Sequence, residues 1–161
     1  MNLSFHKNII FATFLVLFSY LLVGCHKEDH WIDWKTINEQ WYETHKNDDG
    51  FTLLPSGTSY RVLRWGNPSD GKPNTSSYIT ATYTGKFFND SIFDQDTTAT
   101  LGLVSGLVSG FQEVILKMHP GDVYEFYLPW SLGYGSSSYG TIPPYSSLKF
   151  KVELIRFNNY N

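Results

Sequence analysis

The feature that most constrains the fold of this chain is a strict two-residue alternation near its C-terminus. The apolar residues of the segment are Leu148, Phe150, Val152 and Leu154, and the residues between them are Lys149, Lys151 and Glu153. Successive side chains of a β-strand point to opposite faces, so the pattern predicts a strand with one buried and one solvent-facing side. A sheet with one wet face is typical of antiparallel β-structure.

Other segments indicate further strands around a single helix. Residues 59–65, 78–84 and 123–128 are rich in β-branched and aromatic residues, and turn-forming residues occupy positions 67–77. A helix is predicted for residues 110–118 and should end at His119-Pro120-Gly121-Asp122, because proline cannot continue it. Several antiparallel strands around one short helix predict an α+β domain.

Residues 31–46 predict an additional N-terminal helix. Trp34, Ile37 and Trp41 recur at helical spacing, with Trp31 one turn earlier. This stripe favours packing on the chain's own domain over packing on a partner. We expect the helix to lie against the β-domain or to act as a spacer without entering a binding pocket. A chain starting near Thr52 should therefore keep its activity per folded molecule, with some loss of stability.

The N-terminus has the features of an export signal. A single charged residue, Lys7, precedes an apolar run over residues 9–23, and residues 22–25 (L-V-G-C) resemble the bacterial lipobox, in which Cys25 receives a diacylglycerol. A buried structural cysteine and an uncleaved membrane anchor are the alternatives. The sequence therefore predicts a signal peptide over residues 1–24, a lipidated tether with the helix over 25–54, and a globular domain over 55–161.

The composition narrows the possible function classes. The net charge is −3 and Lys/Arg residues form no stripe, so nucleic-acid binding is not expected. The five histidines are scattered along the chain, so neither a metal site nor a cofactor is predicted. The chain also lacks G-x-S-x-G, P-loop and dinucleotide-binding motifs.

Seven short motifs in order resemble the FKBP family of peptidyl-prolyl cis/trans isomerases. They are A-T-Y-T-G at 81–85, I-F-D at 92–94, L-V-S-G-F-Q-E at 107–113, G-D at 121–122, the segment 128–135 with L-P and G-Y-G, I-P-P at 142–144, and the ending at 148–154. Acidic residues after Cys25 also resemble a surface-export signal of Bacteroidetes lipoproteins, although a solvated linker is the simpler interpretation. The resemblance to the family covers roughly residues 55–157.

The resemblance implies an FKBP-like fold, a curved antiparallel sheet wrapped around one short helix. It also implies a hydrophobic pocket whose catalytic residues are Tyr83, Phe93, Asp94, Phe111, Tyr134 and Phe150, with Leu107, Val108 and Ile142 as substrate-binding residues. Several of these aromatic residues would also suit the core of any β-domain. The implied function is prolyl isomerisation during the folding of exported proteins. Together with the lipobox-like residues, this predicts a monomer that is attached to the outer membrane by a lipid on Cys25, at the periplasmic face or the cell surface.

Three departures from the family pattern leave a second function open. Phe111 stands where the family usually has a tryptophan at the pocket floor. A phenylalanine expected in the pocket near Gly102 is missing, so Leu101 or Leu103 would fill its place. No arginine follows Asp94 to pair with its carboxylate. The segment after Asp94, where the arginine is missing, is expected to be a loop at the rim of the pocket. The alternative is a non-catalytic module that binds prolyl peptides or assembles with partners at the membrane.

Overall fold

A computed structural model describes residues 31–159 of the chain. Cys25 and the predicted signal peptide lie outside the described residues. The helices are α1 (Ile32–His45) and α2 (Ser109–Ile115), and the strands are β1 (Thr52–Leu53), β2 (Ser59–Arg64), β3 (Ser77–Phe87), β4 (Ile92–Leu103), β5 (Val123–Leu128) and β6 (Leu148–Asn159). Short 3₁₀ turns cover Pro68–Asp70, Val104–Gly106 and Trp130–Leu132.

The six strands form one antiparallel sheet in the order β1-β2-β5-β6-β3-β4. The alternating segment is the central strand β6, which pairs with β5 on one side and β3 on the other. Its four apolar side chains are buried, whereas Lys151 on the opposite face is exposed. This confirms the half-buried strand predicted from the alternation, and the antiparallel sheet agrees with the predicted α+β fold.

The core lies between the inner face of the sheet and helix α2. Val114 and Ile115 of α2, together with Met118 just after it, are fully buried against β5 and β6. Gly110 permits the close approach of this helix, because a Cβ there would lie 2.5 Å from Leu128 Cδ2. The sheet and this short helix therefore share one hydrophobic core.

Helix α1 packs against the domain, although the face it buries differs from the predicted stripe. Trp34 and Trp41 are half-buried, but Ile37 is 46% exposed, and the residues fully or nearly fully buried are Asn38 and Tyr42. The Trp41 ring lies 5.1 Å from that of Tyr127 on β5. This buried face could not be predicted from hydropathy because Asn38 is polar and Tyr42 is amphipathic.

Strand β4 was not predicted. Most of its residues are exposed, and it forms the edge of the sheet beside β3 with several register shifts. An edge strand with polar side chains on both faces lacks the alternation that reveals a half-buried strand. Within residues 31–159, neither helix has the length and apolar character needed to cross a lipid bilayer.

Candidate functional site

A cavity of about 320 Å³ opens between helix α2 and the curved sheet. Eleven residues line it: Tyr83, Phe93, Asp94, Leu101, Gly106, Leu107, Val108, Phe111, Tyr134, Tyr139 and Phe150. Six of them are aromatic, and Asp94 is the one with an ionisable carboxyl group. The lining therefore suits an apolar ligand with a few polar contacts.

The floor of the cavity consists of phenylalanine rings on regular elements. Phe111 of α2 is only 5% exposed, and its ring meets those of Phe126 and Phe150 edge-on, at 5.1 and 5.2 Å between centroids. Phe126 lies behind the other two rings and stacks on Phe150 at 5.3 Å. Packing on both sides fixes the orientation of the floor before any ligand arrives.

The wall formed by Phe93 depends on a glycine in the neighbouring strand. Phe93 of β4 contacts Phe150 edge-on, with 5.7 Å between ring centroids. Its ring lies directly over Gly85 of β3, where an added Cβ would be 2.5 Å from Phe93 Cζ and 3.0 Å from Phe150 Cε1. Gly85 therefore provides the space that the wall occupies.

One hydrogen bond organises the polar side of the cavity. The Tyr83 hydroxyl donates to Asp94 Oδ2 at 2.6 Å, across the antiparallel pair of β3 and β4. Burial raises the pKa of Tyr83, and the hydrogen bond and the charge of Asp94 raise it further. The hydroxyl therefore stays protonated at neutral pH and keeps donating to the carboxylate.

Two stacked tyrosines form the rim opposite Asp94. The rings of Tyr134 and Tyr139 are nearly parallel, with centroids 4.5 Å apart, and Tyr139 is 63% exposed. Reciprocal backbone hydrogen bonds join Tyr139 to Ile142 at 3.0 and 2.9 Å. Burial raises the pKa of Tyr134, and the nearby Tyr139 and Asp94 raise it further. Tyr134 thus presents a neutral hydroxyl that can donate a hydrogen bond.

The structure brings eight of the nine predicted pocket residues together around this cavity. The exception is Ile142, which is buried in the core and reaches the rim through its backbone pairing with Tyr139. Gly106 and Tyr139 also line the cavity and were not predicted from the sequence. Of the two alternatives Leu101 and Leu103, Leu101 lines the cavity. Tyr139 could have been recognised as the one aromatic residue among the serines and glycines of 135–140.

Size alone does not identify this cavity as the site. Two other surface cavities measure about 320 and 470 Å³, but several charged side chains line the first, and Glu39, Glu43 and Ser131 are among the residues of the second. Within residues 31–159, no three His, Cys, Asp or Glu side chains are grouped to hold a metal ion. The aromatic cavity stands out by the residues that line it.

Comparisons with known proteins point to one family. The sequence profile of the FKBP-type peptidyl-prolyl cis-trans isomerases matches residues 69–155, more than half of the chain. The peptidyl-prolyl cis-trans isomerase Mip of Coxiella burnetii is 35% identical over 69% of this chain and 49% of its own length. The outer membrane protein MIP of Legionella longbeachae is 31% identical over 75% of this chain and 53% of its own length.

The chain spans about half the length of both relatives. Among solved structures, FkpA from Escherichia coli superposes with a TM-score of 0.75 and 20% identity, covering 99% of this chain and 74% of FkpA. At this level of identity the superposition establishes the fold. The family assignment rests on the sequence profile and on the identity to the relatives.

Proposed function

The chain belongs to the FKBP-type peptidyl-prolyl cis-trans isomerase family, and we propose that its aromatic cavity isomerises X-Pro bonds in polypeptides. The observation that carries the proposal is the set of aromatic side chains around one cavity, with a neutral tyrosine hydroxyl at its rim. No ionisable group suited to nucleophilic or acid–base chemistry is needed for this reaction.

The reaction requires a dry and shaped site. Resonance stiffens the peptide bond and produces a rotational barrier of roughly 18–20 kcal/mol. In the transition state the amide is twisted, and its charge separation is smaller than in the planar ground state. An apolar cavity therefore favours the twisted form relative to water.

Each side chain has a distinct part in this mechanism. The floor formed by Phe111 and Phe150 supports the proline ring, and Phe93 forms an apolar wall. The Tyr134 hydroxyl and the Val108 N–H donate to substrate carbonyls on either side of the rotating bond, which leaves one bond free to turn. Val108 is suited to this part because its N–H makes no backbone hydrogen bond within residues 31–159.

Tyr83 and Asp94 keep the polar edge of the cavity fixed. The hydroxyl of Tyr83 occupies one oxygen of the carboxylate, and the other remains available to a polar group of the substrate. Leu107 and Leu101 complete the apolar lining beside them.

A non-catalytic peptide-binding module is the second candidate function. It is favoured by one observation: among the described residues, no lysine or arginine forms an ion pair with Asp94, so the hydrogen bond from Tyr83 is the contact that orients this carboxylate. With its Asp94 carboxylate less firmly oriented, the cavity would bind prolyl peptides but accelerate their isomerisation little.

An isomerisation assay on residues 26–161 separates the two candidates. With a prolyl tetrapeptide, protease-coupled or NMR exchange measurements should show acceleration proportional to protein concentration. Saturable peptide binding without acceleration would replace the isomerase by the binding module, and the absence of both would remove the proposal altogether.

The cellular setting is a further part of the proposal. We infer that the chain is a monomer in the cell envelope that assists the folding of exported, proline-containing proteins, attached to the outer membrane by a lipid on Cys25. The name of the Legionella longbeachae relative, an outer membrane protein, supports the envelope location, and the lipobox-like residues 22–25 support the anchor. Cys25→Ser should abolish labelling by radioactive palmitate, and equal labelling of both forms would refute the anchor.

A further inference from the structure

Helix α1 contacts both ends of the segment that carries the tyrosine rim of the cavity. This segment, residues 129–147, is called the rim loop below. We propose that α1 positions the rim loop for catalysis, with Asn38 and Trp34 as the positioning residues. The inference rests on the proposed isomerase function and assigns to the helix a part in the same site.

Asn38 ties the helix to the C-terminal end of the rim loop. Its side chain is fully buried, Nδ2 donates to the Trp34 carbonyl at 2.8 Å, and Oδ1 accepts from the Ser147 N–H at 2.8 Å. Ser147 is also fully buried, so water cannot replace this acceptor in the folded state. A buried amide that satisfies a distant backbone N–H makes the loop end dependent on the helix.

Trp34 adds a second tie that leads toward the cavity. Its indole N–H donates to Ser146 Oγ at 3.0 Å, and that hydroxyl donates to the Pro143 carbonyl at 2.8 Å. The Trp34 ring also packs against Phe87, with 6.0 Å between centroids, and Phe87 packs against Phe93 of the cavity wall at 5.1 Å. One side chain of α1 therefore supports both the loop and the wall.

The N-terminal end of the rim loop meets the same two turns of the helix. The Trp130 indole N–H donates to Glu39 Oε1 at 2.9 Å. Lys35 Nζ lies over the rings of Trp130 and Tyr145, at 5.5 and 5.3 Å from their centroids. These two rings also meet edge-on at 5.1 Å, so the two ends of the loop are joined beside α1.

Backbone hydrogen bonds carry this constraint to Tyr134. The Trp130 carbonyl accepts from the N–H groups of Gly133 at 3.2 Å and Gly135 at 3.0 Å, and the Gly135 carbonyl accepts from the Tyr145 N–H at 2.8 Å. Both neighbours of Tyr134 are therefore held by residues that α1 contacts. A shift of the loop ends would move the Tyr134 hydroxyl, and misplacement of about 1 Å can cost catalysis heavily.

Because of these contacts, we expect a chain starting near Thr52 to lose activity per folded molecule, contrary to the expectation from the sequence. The helix does not line the cavity, as expected, but it supports the residues that do. Removing it would expose the Ser147 N–H and release both ends of the rim loop together.

The test uses two tryptophans of the same helix as a matched pair. Trp34→Phe removes the hydrogen bond to Ser146, whereas Trp41→Phe alters a half-buried tryptophan that packs on Tyr127 of β5, away from the rim loop. Asn38→Leu is the stronger variant. In the full chain we expect kcat/KM to fall by about threefold for Trp34→Phe and about tenfold for Asn38→Leu, and to stay unchanged for Trp41→Phe.

Two further measurements separate positioning from general destabilisation. Amide hydrogen exchange should accelerate at Tyr145 and Gly135 in Asn38→Leu, while the core amide of Phe126 keeps a rate set by global stability. In the Tyr134→Phe background, the effect of Asn38→Leu on kcat/KM should shrink, because much of it acts through the missing hydroxyl.

The outcomes distinguish this inference from the proposed function. Faster exchange at Tyr145 in Asn38→Leu, with an inactive wild-type protein, would support the positioning of the rim loop by α1 and overturn the isomerase. An active wild-type protein whose Asn38→Leu variant shows neither faster local exchange nor a change in kcat/KM would overturn the positioning by α1. Equal losses for Trp34→Phe and Trp41→Phe, or full additivity with Tyr134→Phe, would also overturn it.

Discussion

The floor and the rim of the cavity are built in different ways. The floor rings, Phe111 and Phe150, lie on a helix and the central strand and are almost completely buried. The rim residues Tyr134 and Tyr139 lie on an irregular loop, and Tyr139 is mostly exposed. The floor, which excludes water, therefore belongs to the rigid core. The rim, which we propose forms hydrogen bonds to the substrate, belongs to a loop whose position depends on contacts with helix α1.

The largest expected effect tests the floor. Phe111→Ala should destabilise the fold by about 3–5 kcal/mol, because a buried ring is replaced by a cavity. The water admitted beneath the proline ring should also lower kcat/KM by about 10- to 100-fold, since burial of a phenylalanine contributes about 1.5–3 kcal/mol. Thermal unfolding and an isomerisation assay on the folded fraction measure the two effects.

A milder matched pair separates stability from catalysis at the floor. Phe126 touches Phe111 but does not line the cavity. Phe111→Leu changes the lining itself and should lower kcat/KM clearly. Phe126→Leu acts on the cavity through packing alone, so it should destabilise the protein and lower kcat/KM per folded molecule by less than Phe111→Leu does. Equal catalytic losses would show that general packing, and not the lining, determines the rate.

The wall gives the next prediction. Gly85→Ala places a Cβ within 2.5 Å of Phe93 and should push that ring into the cavity. Overpacking of this kind costs about 1–3 kcal/mol of stability, and we expect kcat/KM to fall about tenfold, which corresponds to about 1.4 kcal/mol. Thr84→Val, on the same strand with its side chain toward the opposite face, is the control; an unchanged rate in Gly85→Ala would remove Phe93 from the mechanism.

The contrast also explains what could be predicted from the sequence. Of the floor residues, Phe150 lies on a strand with a clear period of two and Phe111 lies on helix α2. The hydrophobic pattern therefore predicted their elements, and the resemblance to a family predicted their place in the pocket. Strand β4 lacks an apolar period because it is an exposed edge. Tyr139 and the supporting contacts of Asn38 escaped prediction because they depend on long-range pairing, in which Asn38 meets Ser147 across 109 residues.

The rim should respond less strongly than the floor. Tyr134→Phe keeps the ring stacked on Tyr139 and removes one hydroxyl, whose hydrogen bond is typically worth about 0.5–1.5 kcal/mol. We therefore expect kcat/KM to fall by about two- to tenfold with unchanged thermal stability. Tyr139→Phe, which retains the exposed ring, should change kcat/KM by less; a loss of more than about 100-fold in Tyr134→Phe would give Tyr134 a chemical part beyond hydrogen bonding.

The smallest effect is expected from pH, which separates an apolar mechanism from one that uses an ionisable catalyst. Burial raises the pKa values of both Tyr83 and Tyr134 above the ordinary tyrosine value of about 10. For groups whose pKa is raised by folding, the stabilising contribution is fully present below the unfolded value and is lost as pH rises through the folded value. Both hydroxyls therefore remain protonated from pH 6 to 8, and neither should introduce a slope there.

Histidine is the side chain whose ordinary pKa, about 6.5, would introduce such a slope. His119 is the one histidine within residues 52–159; its Nδ1 lies 3.4 Å from the buried Asp122 carboxylate, and it does not line the cavity. The His119 backbone N–H, which also donates to Asp122, survives replacement of the side chain. We expect kcat/KM to be flat between pH 6 and 8 and His119→Gln to change it by less than about twofold. A limb near pH 6.5 that disappears in His119→Gln would show that proton transfer, and not the dry aromatic cavity, limits the reaction.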